Sequence, residues 1–449
     1  GALIKTRHRN FRGRYELTKR SIKQTFGTLM VAVLVLGLLI SAGCATQAPA
    51  SPTAAPQPTA APQTTAAAPQ PTAAAPAGDK TPIRIGAVIP LTGKYSETGK
   101  WVEKGYRWYV EEKNAKGGLL GRPIELTVYD DQSTLDKSVN LLEKLITVDK
   151  VDLLAGGYAG DLVAAQMPIA EKHKMVYVSQ GGHMPSFSQG FKYNFGGPPL
   201  MGQWWYEGFF QWMESIPADK RPKTLAAMTA NNLVGKACRE SLINGAQRTG
   251  IKVVMDEMYD LPLASADPLV AKAKATGAEV FCANGFFDEG VLTVRSMKAL
   301  GYNPPYFLQG VGSVVPNWVK ELGKDANYVF SGTAMHGKLP FPGMAELNAV
   351  AKEKYGEAEA PVYFCFGYCW MQVLCQGVEG AGKIDQDAIR DWLRNNEIKS
   401  VGGNWKFDER GLPPAYSYLT QVIDGKVELV WPKEVQTHEP IAPKPAWGQ

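Results

Sequence analysis

Residues 83–89 (IRIGAVI) are apolar and mostly β-branched between Pro82 and Pro90, which predicts a buried strand. After a polar turn, residues 101–114 carry apolar side chains at Val102, Tyr106, Tyr109 and Val110, the spacing of one helix face. Gly117 and Gly118 stop that helix, because glycine accepts the left-handed conformation that ends helices. Residues 125–129 then predict a second strand, ending on Asp130 and Asp131. Strand, helix and strand in this order make a βαβ unit. Its sheet must be parallel, and ligands of such sheets sit at the C-terminal ends of the strands.

The alternation continues. Helices are predicted at 135–147 and 162–173, with strands at 151–155 and 175–178. An aromatic helix at 202–214 precedes strands at 224–229, 252–257 and 279–283, with helices near 235–248, 269–276 and 290–300. Two clusters of strands with a break near Pro198-Pro199 predict an α/β chain of two similar lobes. Residues 345–396 read as helical. The apolar run at 363–378 is shorter than the ~20 residues of a membrane span and carries Tyr363, Tyr368, Gln372 and Gln376. Strands at 418–423 and 427–430 around the turn Asp424-Gly425 complete the pattern.

The first 80 residues differ. Residues 1–26 are basic, and 27–40 form an apolar stretch of about 14 positions, which suits the core of a signal peptide better than a spanning helix. Ser41-Ala42-Gly43-Cys44 follows. Residues 45–78 are almost all Ala, Pro, Thr and Gln, with nothing to bury, and read as a tether. At ~3.1 Å per residue for proline-rich chain, it reaches up to ~100 Å.

The formal charge of +5 raises the question of nucleic acid, but its location removes it. Residues 1–43 hold eight of the 48 basic residues and one of the 43 acidic ones, leaving 40 against 42 in the remainder. No nucleic-acid footprint is left there. Six cysteines in 449 residues imply no disulfide framework. Cys365, Cys369 and Cys375 read as buried thiols, and whether Cys238 and Cys282 pair stays open.

Catalytic motifs are missing. The five histidines (8, 173, 183, 336 and 438) have no metal-binding spacing, and G-x-S-x-G and Cys-x-x-Cys are absent. Residues 93–100 (GKYSETGK) have five residues between the glycines of a phosphate loop instead of four, and Trp101 stands where a magnesium-binding Ser or Thr belongs. Residues 156–160 (GGYAG) lack dinucleotide spacing. The expectation is a protein without catalytic residues, metal or cofactor.

The opening carries a resemblance. I-G-x-x-x-P-L-T-G at 85–93, the aromatic helix, N-x-x-G-G-x-x-G at 114–121 and the strand ending in Asp130-Asp131 resemble the extracytoplasmic substrate-binding proteins of ABC importers. The group most similar is the type I periplasmic-binding-protein family that includes branched-chain amino-acid receptors. Residues 403–411 (GNWKFDERG) resemble its C-terminal G-x-(V/L)-x-F-D-x-x-G hairpin. Small residues before Cys44 resemble a lipobox, although Ser41 stands where leucine is usual. The alternative is an uncleaved anchor. Both readings put the rest of the chain outside the cytoplasm.

The resemblance implies two doubly wound lobes on a three-strand hinge that close over a ligand. The expected organisation is a signal peptide at 1–43, a lipidated Cys44 and tether at 44–80, lobe one at 81–199 plus 333–400, lobe two at 200–332 plus 401–432, and a tail at 433–449. It implies a monomeric receptor, lipid-anchored on the outer face of the cytoplasmic membrane, that passes a small molecule to ABC permease subunits. The residues expected to line the cleft are Tyr95, Ser96, Tyr158, Ala159, Gly160, Asp161, Gln180, Gly181, Gly182 and His183 in lobe one. In lobe two they are Asn232, Val234, Phe286, Phe287 and Gln309, all in loops after strands. Of Trp204 and Trp205, adjacent on a helix, one is expected in the core and the other over the cleft.

Departures from the family bear on the ligand. Its amino-acid receptors carry a Ser or Thr pair for the α-carboxylate where this chain has Gly160-Asp161-Leu162. Their acids for the α-ammonium align with Pro199 and Gln309, and their lobe-two aromatic with Val234. A buried ammonium without its acid is desolvated and underpaired. The expected ligand is therefore not an α-amino acid bound in the usual way but an aromatic or aliphatic acid or amide, with His183 available to a carboxylate. Two other functions share these features. A sensor of the same fold would signal to a membrane partner, and an exported α/β enzyme would turn its ligand over.

Overall fold

A computed structural model of the chain describes residues 79–180, 183–197 and 202–447. The leader, Cys44, the tether, Gly181, Gly182 and Pro199 lie outside the described residues.

Strands β1 (Ile83–Ile89), β2 (Ile124–Asp130), β3 (Leu153–Ala155), β4 (Tyr177–Gln180) and β5 (Asn194–Gly197) form a parallel sheet in the order β2-β1-β3-β4-β5. Helices α1 (Ser96–Ala115), α2 (Leu135–Thr147) and α3 (Gly160–Lys172) connect its strands. The chain then passes α4 (Glu207–Ser215) into a second sheet, of β6 (Thr224–Ala230), β7 (Lys252–Tyr259), β8 (Val280–Asn284), β9 (Tyr306–Gln309) and β10 (Val329–Thr333). Helices α5 (Leu233–Thr249), α6 (Asp267–Thr276), α7 (Phe287–Ala299) and α8 (Asn317–Leu322) alternate with these strands. Next come α9 (Met344–Tyr355), α10 (Val362–Ala381) and α11 (Gln386–Asn395), followed by the hairpin β11 (Ile398–Ser400) and β12 (Gly403–Trp405). Finally, β13 (Tyr418–Ile423) and β14 (Lys426–Trp431) extend the second sheet antiparallel, giving β14-β13-β10-β9-β8-β6-β7.

The side-chain period of two in β1 explains its central place. Ile83, Ile85, Ala87 and Ile89 belong to the same core as Val102 and Tyr106 of α1 and Phe364 and Trp370 of α10. Val88 belongs to the core on the other face, with Leu142 of α2 and Met167 of α3. The second sheet repeats the arrangement. Leu225, Ala227, Cys282 and Leu308 face one way, and Ala226, Met228, Phe281 and Phe307 the other. Both faces of each sheet are covered, as parallel strands require.

Several expectations are corrected. Strands β5, β9 and β10 lie outside the expected strands. The aromatic helix at 202–214 is a 3-10 turn (Gly202–Trp204) followed by α4. Trp205 is buried in the main core, while Trp204 is half-buried against the α2/α3 face. Hairpin β11–β12 is held by α10, where Gln376 and Gln372 accept from the N–H groups of Lys399 (3.1 Å) and Val401 (3.0 Å). Residues 406–417 then connect this hairpin to β13. The tail at 433–447 is bonded to the second sheet and its loops. Ile441 N–H donates to Gln421 (2.8 Å), Lys444 Nζ to Asn303 Oδ1 (2.7 Å), and Trp447 Nε1 to the Tyr302 carbonyl (3.0 Å). Cys238, Cys282, Cys365, Cys369 and Cys375 are all free and buried. Among the described residues no helix is long and apolar enough to cross a membrane.

The paired aspartates that end β2 have separate roles. Asp130 accepts from the N–H groups of Leu91 (2.9 Å) and Thr92 (3.2 Å) and from the Thr92 hydroxyl (2.7 Å), fixing the loop after β1. Asp131 is fully buried, and burial pushes its carboxyl up to about 6, against the pull of the Ser133 N–H and the Ser138 hydroxyl. A raised pKa means the folded state holds the proton more tightly. The stabilisation is complete below about 4 and is lost as pH rises through about 6. Asp131→Asn is therefore expected to raise stability at pH 8 by ~2 kcal/mol, with the gain vanishing near pH 4, in urea titrations at both pH values. An equal effect at the two pH values contradicts this account.

Candidate ligand-binding site

The loops at the C-terminal ends of the strands converge from both sheets. Ser133 Oγ accepts from Tyr95 N–H (3.1 Å) and donates to the Thr92 carbonyl (2.8 Å), which sets the loop carrying Tyr95 and Ser96. Gly93 in this loop has φ +81°, and a Cβ there would stand 2.7 Å from the Gln132 carbonyl oxygen, so only glycine fits. From β3 the chain turns through Tyr158 and Ala159 into α3. Ala159 holds φ 70°, a conformation that L-residues adopt only when their surroundings impose it. That turn aims Gly160 and Asp161 at the second lobe.

These loops touch across the lobes. Asp161 Oδ1 accepts from the N–H of Leu233, the first residue of α5, at 2.9 Å. Tyr95 OH donates to Asp161 Oδ2 (3.3 Å) and accepts from Asn232 Nδ2 (3.2 Å). Asn232 also caps α5, with Oδ1 accepting from Gly235 N–H at 2.7 Å. The rings of Tyr95 and Phe286 lie 4.8 Å apart. Gly160 backs directly on Val234, whose Cγ2 would stand 2.5 Å from a Cβ at that position. Burial, with the Asp161 carboxylate beside it, raises the Tyr95 phenol above its ordinary value, so it remains a neutral donor at pH 7.

Between these loops lies a cavity of about 90 Å³, lined by Lys94–Thr98 of the first lobe and Phe286, Phe287 and Asp288 of the second. Ligand sites for small organic molecules are usually ~300–1,000 Å³, larger than this cavity. Lys94, Glu97, Thr98 and Asp288 were missed by the sequence reading. The feature that could have found them is their place beside Tyr95 and Phe287 in loops after parallel strands.

Gln309 and Tyr158 face elsewhere, and the remaining expected residues vary in their settings. Gln309 is not in a loop. It ends β9, fully buried, with Nε2 donating to the carbonyls of Gly285 (3.4 Å) and Phe286 (3.2 Å) and Oε1 accepting from Ser313 N–H (2.8 Å). Its amide shapes the Phe286 loop, and the side chain is fully enclosed. Tyr158 turns into the first lobe, packed edge-on against Tyr363 at 5.3 Å. Gly160, Asp161, Val234 and Phe287 stand in the first turns of helices, not in loops. Gln180 ends β4, and its Oε1, with Ser179 Oγ and Trp205 Nε1, is buried without a hydrogen-bond partner among the described residues. His183 is half-buried, with Nδ1 2.7 Å from Ser186 Oγ. Burial lowers its pKa, outweighing the nearby Asp161 and Glu240 carboxylates, so the ring is neutral at pH 7. Among the described residues no group of His, Cys, Asp and Glu is arranged to hold a metal ion.

The comparisons with known proteins agree with this architecture. A relative from Brucella abortus (strain 2308), the Leu/Ile/Val-binding protein homolog 1, is 24% identical over 363 residues, covering 78% of this chain and 93% of the relative. A leucine-binding protein from Thermotoga maritima superposes with a TM-score of 0.68 at 24% identity, covering 77% of this chain and 97% of the other. An ABC-transporter solute-binding protein from R. palustris, solved with benzoate, gives 0.69 at 17% identity over 78% and 95% of the two chains. The fold is that of the type I periplasmic binding proteins. The profile of the family described as periplasmic binding protein matches residues 82–426. With two parallel-sheet lobes closing loops over a shared cleft, the chain belongs to the periplasmic binding protein family.

Proposed function

We propose that this chain is the extracytoplasmic solute receptor of an ABC importer. It captures a small organic molecule between its lobes and hands it to permease subunits. The observation that carries the reading is the meeting of strand-end loops from both sheets around Tyr95 and Phe286, the geometry of a cleft that opens and closes on a ligand. Its work is differential binding by the closed state, with no chemistry.

The first lobe comprises the five-stranded sheet with α1–α3 and α9–α11, and the second the seven-stranded sheet with α4–α8. The site comprises Tyr95, Ser96, Asp161 and His183 from the first lobe and Asn232, Val234, Phe286 and Phe287 from the second. Its solute is an aromatic or aliphatic acid or amide and not a conventionally held α-amino acid. Relatives of the same fold support such a range, since one is a leucine-binding protein and another was solved with benzoate. The apolar stretch before Cys44 and the Ala/Pro/Thr-rich segment after it support a signal peptide, a lipid anchor and a tether, which hold a monomeric receptor on the outer face of the cytoplasmic membrane.

A thermal-shift screen of the purified chain against amino acids, amides, aromatic acids and short-chain acids tests the reading. A ligand at 100 times its Kd adds ~2.7 kcal/mol of stability. A shift with acids or amides is expected, whereas tight calorimetric binding of leucine, isoleucine or valine contradicts the ligand assignment. Cys44→Ser is expected to move the expressed protein from the membrane fraction to the soluble one. Unchanged membrane retention contradicts the lipid anchor.

A further inference from the structure

The bond between Asp161 and the start of α5 has a consequence for the ligand. The first turn of a helix presents unpaired N–H groups and the positive end of its dipole, and favours an anion. In this protein the Leu233 N–H of the second lobe is already taken at 2.9 Å by a carboxylate of the first. The same carboxylate accepts the Tyr95 hydroxyl, and Asn232, the cap of that helix, donates to Tyr95. Gly160, beside Asp161, lets the lobes approach until its Cα backs on Val234.

We infer that Asp161 is an internal carboxylate that latches the lobes in place of an acidic ligand group, so that the cleft selects solutes whose polar end is an uncharged hydrogen-bond donor such as an amide. The inference rests on the receptor reading above and narrows its ligand class. A ligand carboxylate brought to this helix would lose the Leu233 N–H to Asp161 and meet a like charge across the Tyr95 hydroxyl. His183 gives no compensating cation, because burial keeps the ring neutral, and Lys94, the cation in the cavity lining, stands there with two acidic residues, Glu97 and Asp288. A primary amide can donate to the Asp161 carboxylate, whose oxygens each have a lone pair to spare.

Two variants separate the latch from general loss of structure. Asp161→Ser removes the acceptor. Leu233→Pro removes the donor, with the half-buried leucine side chain, at a first helical position where proline is favoured and after an extended Asn232 that tolerates it. Small-angle scattering without ligand is expected to give a larger radius of gyration for both variants than for the parent, each with an intact cooperative melt. With benzamide and isovaleramide against benzoate and isovalerate as probes, the parent should bind the amides about tenfold or more tightly than the acids, and Asp161→Ser should erase that ratio. Unchanged scattering in both variants overturns the latch. A parent that prefers the acids, or a ratio untouched by Asp161→Ser, overturns the selectivity. If both variants open but no probe binds, the latch stands and the receptor's assigned ligand range falls.

Discussion

Gly367→Ala is expected to cost ~3 kcal/mol and to lower the melting temperature by ~6 °C or more, although the substitution sits within a helix. In an isolated helix the same change would gain up to ~1 kcal/mol, because glycine is the poorer helix former. Packing reverses the sign. Helices α1 and α10 cross with their backbones in contact. A Cβ on Gly367 would lie 2.1 Å from the Val102 carbonyl oxygen, and one on Gly105 would lie 2.3 Å from that of Phe364. Backbone atoms of two core helices cannot step aside as a flexible side chain can. Gly382→Ala is the control. It caps α10 with φ 69° and has nothing within 4 Å of its Cβ position, so its expected cost is the conformational ~1 kcal/mol alone. Urea titration of both variants checks the contrast, and comparable losses would contradict it.

The second large effect concerns Gln309→Glu. The sequence resemblance sets this position against a ligand-binding acid of amino-acid receptors, and on that expectation alone an acid here would restore amino-acid binding. The geometry says otherwise. A glutamate cannot donate to the carbonyls of Gly285 and Phe286, and its charge would be fully buried against them. The expected loss is ~3 kcal/mol at pH 7, smaller at pH 5 where the carboxyl can take up a proton. Gln309→Ala should cost less and equally at both pH values, since it leaves the Ser313 N–H unpaired while the carbonyls of Gly285 and Phe286 keep the N–H groups of Val311 and Gly290. Both should weaken solute binding through the displaced Phe286. Gain of leucine binding by Gln309→Glu in calorimetry, with stability kept, would contradict this role.

Much of the fold was legible in apolar periodicity, and the failures have physical causes. The alternation in β1 and the helical spacing in α2 are local, and α2 falls on the expected 135–147. Strands β5 (NFGG) and β10 (VFSGT) are short and contain glycine, so they are strands because a neighbouring strand pairs with them. Helix α1 begins at Ser96 and not near 101 because its first turn, SETGK, carries no apolar stripe. The apolar run at 363–378 is a fully enclosed core helix, for which burial, not membrane, explains the composition.

The site was legible as a set of positions but not of directions. Parallel topology puts the strand-end segments at 95–96, 158–161, 232–234 and 286–287 on one side of their sheets, and these meet. Whether a side chain leaves its strand toward the cleft or the core depends on pairing register and on its partners. Gln309 and Tyr158 turn inward for that reason, and Asp161 turns outward to the opposite lobe. No spacing in the sequence links Asp161 to Leu233, 72 residues away.

The most direct test of the central claim is to load the purified chain with the strongest solute from the thermal screen, remove the excess by dialysis, and release the bound molecule by denaturation for mass spectrometry. A solute receptor should return one molecule per chain, chemically unchanged however long it was held. Recovery of an altered product, or no retained solute at all, would contradict the account.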